Sequence, residues 1–193
     1  MKYVFKILSI FLLLPAISFS QKNELGFGLG AGTSEVVGPS QPLPISHYDF
    51  AHVGVNYYRT YLKDLLCLKS GLSFDYRYKP NDKRPYLRMP LGLDVRIGKK
   101  LEGVLGTGII FYYLPGMKYE YIKKFQMGWE LNSGLEFSLS ENLDINIMVQ
   151  KNFDLSAMDI SLQYITQGDY RTIDWIVSDN LLKIGIKYTF LKK

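Results

Sequence analysis

A single cysteine, Cys67, and two histidines, His47 and His52, are all the soft metal-binding chemistry in 193 residues. One thiol forms no internal disulfide, and two imidazoles without a second thiol make no zinc-type ligand set, so neither a disulfide staple, a metal nor a cofactor is expected. Long apolar runs are equally scarce. Only residues 7–16 form one, about half of the roughly 20 residues a spanning helix needs, so insertion into a membrane has to be by strands. Charge of one sign is not concentrated either. The formal net charge is +5, and its basic residues are scattered, which is not the footprint of a nucleic-acid-binding protein.

What the chain does have is alternation. Between 125 and 139 the odd positions are Phe125, Met127, Trp129, Leu131, Ser133, Leu135, Phe137 and Leu139, and the even ones are Gln126, Gly128, Glu130, Asn132, Gly134, Glu136 and Ser138. Only a strand sends successive side chains to opposite faces, so one face is oily and the other polar, small or charged. The stretch exceeds the roughly 5–6 residues of a common strand and suits the roughly 9–11 that cross a bilayer at a tilt. Ahead of it, residues 1–20 carry Lys2 and Lys6, the apolar run and Ser18-Phe19-Ser20, the layout of a cleavable secretory signal. Residues 21–193 then form one domain, with net charge reduced from +5 to +3 by the loss of the two lysines.

The same rule predicts seven more strands. Their outward faces carry Leu25, Phe27, Leu29 and Ala31; Ala51, Val53, Val55 and Tyr57; Leu66, Leu68, Leu72, Phe74, Tyr76 and Tyr78; Leu87, Met89, Leu91, Leu93, Val95 and Ile97; Leu143, Ile145, Ile147 and Val149; and Leu182, Ile184, Ile186, Tyr188 and Phe190. The strand at 101–113 has glycines and apolar residues in both registers, and its parity stays open. Pro90 lacks a ladder donor and is expected at an edge or bulge. Connections are predicted long at 33–47, 79–84, 115–124 and 156–179 and short near 63–64, 98–100 and 140–142. Together these describe an all-β, eight-stranded antiparallel up-and-down transmembrane β-barrel with short periplasmic turns and long outer loops. Tyr57, Tyr76, Tyr78, Phe125, Tyr188 and Phe190 suit its interfacial girdles.

A soluble lipocalin-like barrel would reverse the faces and hold a ligand in an oily interior. Its exterior should then be rich in Lys and Glu, whereas the polar face here is mostly Gly, Ser and Asn with single charges between them. Those charges balance. Lys69, Arg77, Arg88, Arg96, Lys183 and Lys187 oppose Asp75, Asp94, Glu130, Glu136, Asp144 and Asp154, so a matched network in a nearly dry lumen is expected. An eight-stranded barrel filled in this way is a plug rather than a pore.

These features carry a resemblance. The leader, the eight strands, the stretch Tyr86-Leu87-Arg88-Met89-Pro90-Leu91-Gly92-Leu93 and the terminal Ile186-Lys187-Tyr188-Thr189-Phe190 look like the PorT-like family, built like OmpA- and OmpX-type barrels. The resemblance implies a Gram-negative outer membrane, surrounding outer-membrane lipid and insertion by the barrel-insertion machinery. It further implies a secretion machine or surface protein as partner, and makes Pro90 a family feature of a Tyr-Leu-x-x-Pro-Leu strand.

The expected role is structural, adhesive or secretion-associated, exerted through outer loops. The connection at 156–179 is far longer than the roughly 2–5 residues a hairpin needs. Ile160, Leu162, Tyr164, Tyr170 and Trp175 within it are predicted to extend the flanking strands as a hairpin whose edge takes a partner by strand addition; the alternative is that they cap the barrel mouth. Catalytic chemistry is thin. His52, with a nearby Ser and Glu, would resemble a lipid A deacylase, a lipid-modifying hydrolase, yet no His-Ser-Asn stretch is present and no enzyme activity is expected.

Overall fold

The computed structural model describes residues 22–37, 46–62, 64–80, 82–115, 125–155, 158–160 and 173–192; the predicted leader lies outside them. The described residues form nine strands: β1 Lys22–Val37, β2 Ser46–Tyr61, β3 Leu66–Lys79, β4 Asp82–Gly98, β5 Leu101–Tyr113, β6 Phe125–Ser138, β7 Leu143–Asp154, β8 Met158–Ile160 and β9 Ile173–Lys192. Each of β1 to β7 pairs antiparallel with its sequence neighbour, and β9 closes the ring by pairing with both β7 and β1. Eight strands make the barrel. The short β8 adds only a three-pair hairpin to the start of β9.

The register fixes the shape. Following partners from Lys83 through Tyr78, Asp49, Thr33, Asn180, Lys151, Leu131 and Thr107 returns to β4 at Leu93, ten residues further along. Eight strands staggered by ten tilt by roughly 40° and leave an interior that side chains just fill. Lys22 and Lys192, paired at the ends of β1 and β9, lie at one rim, called the base, and the opposite rim is the mouth.

Alternation sorts the side chains as predicted. Leu29, Leu72 and Ile184 are 54%, 52% and 57% exposed, whereas Arg88, Glu130 and Asp75 are 1%, 2% and 0% exposed. An inside-out soluble barrel is therefore not what this chain builds. In β5 the odd residues Leu101, Leu105, Ile109 and Phe111 face outward, and Val104, Ile110 and Tyr112 are buried. Outward Gly103 and Thr107, together with inward Ile110, had hidden that parity. Two aromatic bands ring the exterior, with Tyr113 5.0 Å from Phe125 towards the mouth and Tyr57 6.5 Å from Phe190 towards the base.

Three predicted loops are shorter than expected. β1 runs to Val37 and β2 begins at Ser46, so 33–37 and 46–47 are strand rather than loop, in keeping with β-branched Thr33, Val36 and Val37. The connection predicted at 79–84 is a tight hairpin, because Lys79 pairs with Asp82. Connection length therefore does not alternate there; the polar residues mark strand that stands in water, not loss of strand. The third correction is at 156–179, where β9 already starts at Ile173 and pairs up to Val37. Pro90 produces neither edge nor bulge. The β3–β4 ladder skips from Ser70↔Leu91 to Ser73↔Arg88 without changing register, so the missing proline donor leaves a local gap.

Candidate functional site: the filled lumen and the mouth

At the base, Arg96 grips Glu24 with both guanidinium ends, at 3.1 and 2.8 Å, and lies 3.7 Å from Glu136. Lys187 pairs with Glu136 and stands 3.8 Å from Glu24, so two cations and two acids close a four-membered network. The buried Cys67 accepts from Arg96 Nη2 at 3.1 Å and is used up in that packing. Tyr58 spreads beside Arg96 and Lys187, in the space that the side-chain-free Gly26 leaves open.

Higher in the lumen Lys69 pairs with Glu130 and lies 3.9 Å from Asp94, while Asn132 Nδ2 donates to both acids at 2.9 and 3.2 Å. Asp75 accepts from Arg88 at 2.8 Å and pairs with His52 Nδ1 at 2.6 Å. Lys183 donates to Gln150 at 2.5 Å. Towards the mouth, Arg77 donates to Asp179 at 2.7 Å and Ser34 at 2.9 Å while lying over the Tyr86 ring at 3.9 Å. A buried cluster of Tyr86, Ile110, Tyr112 and Leu114 completes the seal.

The predicted charges thus fall in three groups. Lys69, Asp75, Arg77, Arg88, Asp94, Arg96, Glu130, Glu136 and Lys187 are buried in the lumen, with Lys183 half-buried among them. Asp144 is only half-buried, near the base, and makes no ion pair among the described residues. Asp154 pairs by backbone with Gly128, and its side chain lies outside the described ones. Glu24 and Asp179 take the places given to those two acids. Glu24 escaped notice because it precedes the first apolar residue of its strand, and Asp179 because it sat in a presumed loop. Six cations still face six acids.

The catalytic alternative has a geometric basis, since Ser73 lines the same gap as His52 and Asp75 pairs with that imidazole. That gap holds about 10 Å³. A single water needs roughly that much, so no acyl chain reaches these groups. Among the described residues, no three His, Cys, Asp or Glu side chains are placed to hold a metal.

At the mouth, Met158 pairs with Trp175 and Ile160 with Ile173, so the separate strand β8 forms a short hairpin with the start of β9. Leu162, Tyr164 and Tyr170 lie outside the described residues.

No family model matches the chain, and no curated protein matches it in sequence. Solved structures do match. Neisserial surface protein A is similar over 86% of this chain and 97% of its own, at 12% identity and a TM-score of 0.59. This chain has the outer-membrane barrel fold. The outer membrane enzyme PagL is similar over 84% and 97%, at 9% identity and a TM-score of 0.50. At these identities the likeness concerns the fold alone, so the role of this barrel has to be argued from its own residues.

Proposed function

We propose that the protein is exported by residues 1–20, sits in the outer membrane with its base in the periplasm, and acts as a structural, adhesive or secretion-associated barrel that presents its mouth to a partner protein. The filled lumen carries this reading. Arg77, Arg88, Lys69 and Arg96 with their acids occupy the bore from mouth to base, and the gap between His52, Lys69, Arg88 and Lys183 holds roughly one water. Transport and lumenal chemistry need space that these side chains occupy, which leaves recognition to the mouth. There β8 pairs only with β9 among the described residues, so its other edge offers backbone donors and acceptors for strand addition. The PorT-like resemblance favours a component of a secretion machine, and the barrel-insertion machinery is the transient partner. The hydrolase reading has His52, Asp75 and Ser73 in its favour and their enclosure against it.

Replacing 162–173 by a short Asn-Gly turn tests this directly. The shortened protein should still fractionate with the outer membrane and shift in migration on boiling, yet lose its partner cross-links in whole cells. If it inserts and keeps every cross-link and phenotype of the parent, those residues are packing and the mouth is not the recognition surface.

A further inference from the structure

One sector of the exterior departs from the apolar pattern. Thr33, Asn180 and Lys151 are direct register partners on β1, β9 and β7, and all three occupy outward positions. Below them on the same strands are Ala31, Leu182 and Val149, of which Leu182 is 53% and Val149 56% exposed, so this is the lipid-facing wall. The register line descends by ten residues per circuit, which puts Lys151 roughly 15 Å deeper than Lys83. That depth matches Trp129 on the neighbouring strand and lies below the aromatic band at the mouth.

A lipid-facing cation at this depth is destabilising unless it rises to the interface or meets an anion. Lys151 does rise. Its Nζ donates to Asn180 Oδ1 at 2.8 Å and stands 5.8 Å from the centre of the Phe153 ring. Asn180 satisfies one of its three N–H donors, and among the described residues no carboxylate lies within ion-pair distance. Five of the six lumen cations, all but Lys183, rest on an acid. Glu35 stands two residues nearer the mouth on β1 and Asp49 is the register partner of Thr33 on β2, so the anion-accepting end of this line is the Lys151–Asn180 end.

We infer that this pair seats the phosphate of an anionic membrane lipid, with Lys151 Nζ and Asn180 Nδ2 as donors and the acyl chains lying on Leu182 and Val149. A lipid is the occupant that fits, because both side chains stand at outward positions of the wall that faces the bilayer, where the only abundant mobile anions are headgroups. The site rests on the fold and does not depend on the mouth having a partner.

Trp129 is the reporter. It is 49% exposed, on the strand beside Lys151, and Trp175→Phe makes it the only tryptophan. The Trp175→Phe protein is reconstituted in vesicles mixing phosphatidylcholine and phosphatidylglycerol, with one or the other brominated. Quenching should show about a fivefold preference for phosphatidylglycerol, which is retained in Lys151→Arg and in Lys83→Gln and lost in Lys151→Gln. An unchanged preference in Lys151→Gln overturns the site. Trp129 shielded from both lipids, together with a cross-linked dimer, overturns it in favour of a second copy. If Lys151→Gln does not insert, the preference of the Lys151 protein must fall as salt is raised, and constancy with salt overturns the site equally.

Discussion

Glu130→Leu is expected to lower the barrel's unfolding free energy by about 3–5 kcal/mol, because it leaves a buried cation without its partner. Lys69 would retain only Asp94 at 3.9 Å, and Asn132 Nδ2 would lose its 2.9 Å acceptor. Position 130 is 2% exposed, so water cannot take over the missing contact. Lys69→Met combined with Glu130→Leu should recover most of the loss. Both charges are then gone, and Asp94 keeps the amide of Asn132 at 3.2 Å. Urea unfolding in phospholipid vesicles reads both variants. Single and double variants that unfold alike would show the lumen to be wet and the pair screened.

The opposite face gives the second large effect. Ile184→Arg places a charge near the middle of the lipid-facing wall, where Ile184 is 57% exposed between register partners Leu29 and Ile147. About 2–4 kcal/mol should be lost in the same vesicles. Nothing should be lost at an equivalent exposed position of a water-soluble barrel, since an arginine there would face solvent. A neutral Ile184→Arg would therefore contradict the transmembrane assignment.

Period-two alternation made most of this fold legible in the sequence. From Phe125 to Ser138 the odd residues are exposed on the outer face, and the even residues are inward. The reading failed where alternation carries no sign. In β5, Gly103, Gly106 and Gly108 gave both faces small residues, and only pairing with β6 decided the parity. At the mouth the polar alphabet of Lys79, Asp82, Lys83 and Arg84 reads as loop, yet a strand that leaves the bilayer keeps its ladder and loses only its apolar face. Asp179 was missed for the same reason, as part of strand read as connection. The lumen's neutrality could be counted in the sequence, but the pairings could not. Arg96 finds Glu24 across 72 positions of the chain, and only closure of β9 onto β1 brings Lys187 to the same cluster. Lys151 was invisible as a site because its significance depends on depth, which comes from the ten-residue stagger and not from its neighbours in sequence.

Spin labels placed singly at each position from 125 to 138, in a Cys67→Ala background, test the central claim most directly. Accessibility to oxygen, which partitions into lipid, should alternate with period two. Odd positions should be open to oxygen, and even positions should be closed both to oxygen and to a water-soluble nickel chelate. Even positions that admit the chelate would reveal a water-filled channel, and odd positions that prefer the chelate would place the oily face in water; either result would contradict a membrane barrel with a filled lumen.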